Sequence, residues 1–117
     1  MINADGIVLG SPVYFTDVTA GIKALIERCG TVSIANGGLF KRKLGAAVLA
    51  VRCAKAVRTF DTLNHLFLHG QMIIAGSSYW NMGIGRQLGQ VKEDGEGIQT
   101  MQTLGKNMAW LLKKIHS

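Results

Sequence analysis

Proline occurs once in this 117-residue sequence, cysteine twice and acidic residues seven times, and each scarcity closes off a class of protein. With a single proline, Pro12, and no low-complexity segment, nothing reads as a linker, so the chain is at most one domain. Cys29 and Cys53 are too few and too far apart for a zinc site or a redox dithiol, and nothing else points to the oxidising compartment a disulfide needs. Acids are outnumbered by 13 lysines and arginines, for a net charge of +6. The cations are scattered, with Lys41-Arg42-Lys43 the only run, and no aromatic residues interleave with them as nucleic-acid binders prefer. A basic surface equally favours anionic ligands such as phosphorylated cofactors. No apolar run approaches the roughly 18 residues of a membrane span. No basic segment precedes an apolar core at the N-terminus, so a secretory signal is not expected and the cytoplasm is the expected compartment.

What is present is apolar: 48% of residues are hydrophobic. The organising stretch is Asp5 to Phe15, a four-residue apolar run to Gly10 and then Ser-Pro-Val-Tyr-Phe. It reads as a buried parallel strand feeding a loop at its carboxyl end, the edge where open α/β sheets bind ligands. Pro12 fixes φ, and Tyr14 and Phe15 give the loop an apolar lip suited to a flat ring. Ile22, Leu25, Ile26 and Cys29 then fall on one helical stripe, with Thr16, Asp17 or Thr19 as cap and Gly30 as the expected stop. Cys29 reads as a buried small hydrophobe.

Residues 31–43 read as a connection, with Leu39-Phe40 an exposed apolar spot or partner contact. Leu44 to Val51 is a continuous apolar run, fitting a strand covered on both faces, and Arg52 to Ala56 forms a second carboxyl-edge loop. Phe60, Leu63, Leu66 and Phe67 predict a second helix closed by Gly70. His65 and His69 stand i, i+4 on it without a third metal ligand, so they read as a solvated pair. Met72 to Ala75 predicts a third strand, with Gly76 to Asn81 as its carboxyl-edge loop. Residues 82–96 read as a long surface loop in which Gly83-Ile-Gly85-Arg-Gln-Leu-Gly89 imitates a dinucleotide fingerprint and fails, its third glycine one place late. Asp94 caps a long last helix whose apolar face includes Ile98, Met101, Leu104 and Met108, and Gly105 within it predicts close packing on the sheet.

The strand and helix alternation predicts a parallel sheet with right-handed crossovers. No Ser-His-Asp set, carboxylate pair or metal cluster is visible, so any chemistry must come from a cofactor.

Gly-Ser-Pro-Val-Tyr-Phe-(x)3-Thr-Ala-Gly-Ile-Lys-Ala-Leu-Ile-Glu-Arg resembles the flavodoxin-like NAD(P)H-dependent FMN reductases and iron-sulfur flavoproteins. Ala-Gly-Ser-Ser-Tyr-Trp-Asn and Leu-Gly-Lys-Asn-Met-Ala-Trp-Leu-Leu-Lys-Lys are similar too, so the likeness covers nearly the whole chain. The resemblance implies a three-layer flavodoxin-like α/β fold, with residues 1–117 as its C-terminal part: the last three βα units, strands 3-4-5 of the order 2-1-3-4-5. It implies FMN as cofactor and NAD(P)H as electron donor, with a quinone, a flavin or another small molecule as acceptor. By the same resemblance Ser11, Pro12, Val13, Tyr14 and Phe15 lie along the flavin ring. Arg52, Cys53, Ala54 and Lys55 border it from the next strand, and Ser78, Tyr79 and Trp80 flank the site or a neighbouring subunit. Two departures stand out: Cys53, Ala54 and Lys55 replace the adjacent glycines usual after the arginine, and the chain starts at the family's third strand. The second leaves a strand edge bare and removes the phosphate loop, which predicts weak FMN binding or none, and either a missing part that lies elsewhere or homo-oligomerisation through that edge. The competing reading is a non-catalytic truncated α/β module acting through self-association.

Overall fold

The computed structural model describes residues 1–53 and 56–117. Four strands, β1 (Gly6–Pro12), β2 (Leu44–Val51), β3 (Ile73–Ile74) and β4 (Met82–Ile84), form one sheet in which every pairing is parallel. Three helices cover it: α1 (Ala20–Ala35), α2 (Val57–His69) and α3 (Gly95–Ile115). β2 is the centre, with β1 along one edge from Gly6↔Leu44 to Pro12↔Ala50. The other edge is shared by two short strands, β3 beside Leu44 and Gly45 and β4 beside Leu49 to Val51.

Side-chain alternation sends Ile7, Leu9, Leu49 and Val51 to one face, where they meet Leu63, Leu66 and Phe67 of α2 and the Ile22, Ile26 and Cys29 stripe of α1. Leu44, Ala46 and Val48 go to the other, against Met101, Leu104 and Met108 of α3. The result is three layers, helix pair, sheet and helix, with the core split by the sheet. Burial raises the Cys29 thiol above its ordinary value, as befits a packed small hydrophobe.

Several expectations need correction. α1 runs five residues past Gly30, because Gly30 is an interior packing position whose missing Cβ would already touch Leu66 Cδ1 at 3.8 Å. The stop is Gly37-Gly38, both with positive φ (76° and 88°), where Gly38 N–H donates to Ser33 O at 2.8 Å. Phe40 is 3% exposed and belongs to the core, so Leu39-Phe40 is no exposed patch. Gly105 faces open space rather than the sheet. Residues 82–96 hold a strand, a 3-10 turn (Gln90–Glu93) and the start of α3 instead of one long loop.

The largest difference is the third strand. Residues 75–81 interrupt it halfway, and Asn81 closes the gap: its side-chain Nδ2 donates to Ala47 O at 3.0 Å, while Leu49 N–H donates to Asn81 O. Asn81 is 1% exposed, so a side-chain amide supplies the donor that an unbroken strand's backbone would have offered. Gly76 to Asn81 is therefore an excursion from the outer sheet edge, and the tip of the third strand lies at Gly85 and Arg86. β1 has no neighbour on its far side among the described residues, and Val8 on it is 52% exposed.

Candidate cofactor site at the strand carboxyl ends

The loop after β1 is a tight mirror-image turn. Tyr14 N–H donates to Asp17 O at 3.0 Å, Asp17 N–H returns to Tyr14 O at 3.2 Å, and between them Phe15 and Thr16 have φ of 46° and 69°. Such turns ask for glycine or asparagine at both central positions; here an aromatic and a β-branched residue occupy them, which stores strain at the sheet's carboxyl edge. The turn displays its aromatics, Tyr14 at 64% exposure and Phe15 fully.

The loop is held from below. Ser11 is buried, its hydroxyl donating to Pro12 O at 2.7 Å and accepting from Thr19 N–H at 3.1 Å. Val13 N–H donates to Ala50 O of β2. Asp17 accepts from Val18 N–H and from the Thr62 hydroxyl of α2, both at 2.8 Å; these bonds hold its carboxyl below the ordinary 3.8, the backbone bond most. Thr59 of α2 donates to Thr16 O. With these bonds made, the amides of Phe15 and Thr16 have no partner among the described residues, in a loop with two exposed rings.

Arg52 and Cys53 stand at the tip of β2, exposed, and share a cavity of about 560 Å³ with Ile84, Gly85 and Arg86 from the tip of β4. Ala54 and Lys55 lie outside the described residues. Ser78, Tyr79 and Trp80 lie in the excursion at the opposite edge from β1. Trp80 packs edge-on against Phe60 of α2, centroids 6.0 Å apart, and the two line a separate cavity of about 300 Å³ with Ile74 and Tyr79. The β1 loop and Trp80 thus both rest on the first two turns of α2, through Thr59 and Thr62 on one side and Phe60 on the other.

Gly85, Arg86 and Gln90 are the site residues that the sequence reading misses. Gln90 Oε1 accepts from both Arg86 and Gln87 N–H, at 2.8 and 3.1 Å, and Gly89 bends the turn at φ 82°. A Cβ on Gly85 would come within 2.7 Å of Val91 N. The available signal was an arginine directly after a Gly-x-Gly that ends an apolar pair.

A protein-family model described as NADPH-dependent FMN reductase matches residues 1–87. The chain belongs to that family. Among curated relatives, an iron-sulfur flavoprotein of Methanocaldococcus jannaschii is 37% identical over 122 residues, covering 98% of this chain and 62% of its own length. One of Archaeoglobus fulgidus is 32% identical over 127 residues, covering 97% and 62%. The chain therefore spans about three fifths of the length of these relatives. Among solved structures, a flavone reductase superposes with a TM-score of 0.70 at 20% identity, over 98% of this chain and 44% of that one. A flavodoxin-type, WrbA-like protein of Agrobacterium tumefaciens gives 0.65 at 13%, over 91% and 69%. The fold is flavodoxin-like.

The groups at the strand ends offer a flavin unequal support. A flat ring finds donors and apolar surface: two amides without a partner among the described residues stand in a strained turn whose Tyr14 and Phe15 are exposed. A phosphate finds less. The start of α1 is closed by Thr19, whose Oγ1 accepts from Ile22 N–H, and the start of α3 by Asp94, which accepts from Gly97 N–H at 3.0 Å and from Ile84 N–H at 2.7 Å. Those bonds hold the Asp94 carboxyl below its ordinary value, Gly97 contributing most.

Proposed function

We propose that Ser11 to Phe15 hold the ring of an FMN and that the chain serves an NAD(P)H-dependent oxidoreductase delivering electrons to a quinone, a flavin or a similar small molecule. The observation that carries this reading is the pair of amides at Phe15 and Thr16, in left-handed backbone and without a partner among the described residues, in a turn that exposes Tyr14 and Phe15. When bound, the flavin supplies the chemistry of accepting a hydride and passing electrons on.

The chain's own residues bind and shield. Pro12 fixes the loop's entry, Tyr14 and Phe15 keep water from one side of a flat ligand, and the two amides offer donors to its polar edge. Asp17, held ionised by Val18 and Thr62, stays an acceptor at neutral pH and is no proton donor. Cys53 borders the ring from β2, Arg52 stands beside it at the same strand end, and Ser78, Tyr79 and Trp80 flank the site from the outer edge or from a neighbouring subunit. Both cysteines are free, which suits a reducing, cytoplasmic setting. No helix among the described residues is long and apolar enough to cross a membrane.

The test is flavin absorbance and fluorescence of the purified chain titrated with FMN. Binding is expected, and Phe15→Ala should weaken it about five- to tenfold, the worth of one aromatic contact. A titration that leaves the absorbance and fluorescence of FMN unchanged defeats the reading. One observation favours a second reading, self-association without catalysis: β1 presents an open edge with half-exposed Val8. A stable dimer lacking flavin, seen by light scattering, would choose it.

A further inference from the structure

Arg52 and Arg86 sit at the ends of neighbouring parallel strands and line one cavity of about 560 Å³. Among the described residues neither guanidinium makes an ion pair or a hydrogen bond; the ion pairs join Lys23 to Glu27 and His116 to Asp5. Two carboxylates share the cavity wall. Asp94 is committed to the amides of Ile84 and Gly97 at the start of α3, whose helix dipole offsets part of its charge, while Glu93 has no partner among the described residues. Two cations and two carboxylates thus line the cavity, one carboxylate already engaged at a helix start, in a chain that is itself +6.

Arg86 is also placed by a turn that tolerates little variation. Gly85 N–H donates to Val51 O at 2.9 Å, a Cβ there would collide with Val91, and Gln90 pins the amides of Arg86 and Gln87. A planar fork of N–H donors on a fixed backbone suits a tetrahedral dianion, which it grips with two parallel bonds.

We propose that Arg52 and Arg86 together bind the phosphate of a nucleotide, a site distinct from the ring loop after β1. The site rests on the flavin and nicotinamide reading for its natural ligand, but its phosphate chemistry is tested without either.

Pyrophosphate is titrated into the full 117-residue chain, free of flavin, and followed by amide chemical shifts. Saturable shifts at Arg52, Gly85 and Arg86 are expected. Arg52→Gln and Arg86→Gln should each weaken binding about tenfold, the loss of one charge-assisted bond pair, and added salt should weaken it further. Glu93→Gln should tighten it, an opposite sign that misfolding does not imitate. Shifts confined to Lys41–Lys43, no saturation, or equal affinity in Arg86→Gln would overturn the site. A second arm assigns the source, both results supporting it. If Arg86→Gln weakens FMN but not riboflavin, the phosphate is the flavin's; if it weakens an adenosine bisphosphate and spares both flavins, it is the reductant's. Pyrophosphate binding in a chain that rejects flavin would remove the proposed function and keep the site; the converse would remove the site alone.

Discussion

Thr16 is where the strain in the β1 loop can be weighed. It is exposed, its φ is 69°, its side chain makes no hydrogen bond among the described residues, and its carbonyl accepts from Thr59 whatever the residue. A left-handed conformation costs a non-glycine residue about 1–2 kcal/mol, more when it is β-branched. Glycine removes that cost and returns about 0.4–1 kcal/mol through the added freedom of the unfolded chain. Thr16→Gly should therefore stabilise the protein by about 1 kcal/mol, roughly 2–5 °C in Tm for a chain of this size. Thr16→Ala is the control: it removes the branched side chain but keeps the left-handed cost, so its stability should stay within about 0.5 kcal/mol of the parent. Urea denaturation of the three proteins reads the difference. Equal stability in Thr16→Gly and Thr16→Ala, or a loss in the glycine variant, would refute the claim that the turn is strained. If the strain orients the two free amides for a ligand, the more stable glycine variant should bind FMN more weakly, the opposite of what a gain in stability alone would do.

Gly45→Ala should destabilise the fold by about 1–3 kcal/mol by overpacking, since its Cβ would meet the Phe67 ring at 2.9 and 3.0 Å and Met72 at 3.2 Å, read as a drop in urea midpoint. Asn81→Ala should cost about 1–3 kcal/mol, because Ala47 O loses its donor in a buried gap of the sheet, with hydrogen exchange quickened around β3 and β4. The carboxyls of Asp17 and Asp94 are both lowered from 3.8 by bonds formed only in the folded state. Their contribution is complete above about pH 4 and lost as pH falls through the lower folded values, so Asp17→Asn should flatten the acid limb of a stability profile. A steeper limb in that variant would contradict the assignment.

The parts of the fold that could be read from residues are those whose pattern is long. Leu44 to Val51 is a run that only a strand covered on both faces explains, and the stripes of α2 and α3 repeat often enough to fix their inner sides. Punctuation misled. Gly30 looked like a helix stop and is a packing site against Leu66, whereas the true stop, Gly37-Gly38, lay in a stretch that reads as loop on composition alone. The split strand was illegible for a different reason. Two residues at Ile73 and three at Met82 are too short to show alternation, and the link between them is one asparagine side chain acting as backbone. That error moved the third strand tip, so Tyr79 and Trp80 were credited to the carboxyl edge and Gly85 and Arg86 were passed over.

The misplacement also separates two tasks that the sequence merged. An aromatic lip and a row of cations both mark a nucleotide site, but here they stand on different strands: Tyr14 and Phe15 after β1, Arg52 and Arg86 after β2 and β4. β1 is also the strand with no neighbour on its far side among the described residues, so the ring loop is held by β2 through Val13 and by α2 through Thr59 and Thr62 but by nothing described on that far side. The arginine pair lies on the supported side, across two paired strands and a turn closed by Gln90. Ring affinity should therefore depend on what covers β1 while phosphate affinity should not. A strand added beside β1, from a longer chain or a second copy, would strengthen the first and leave the second unchanged.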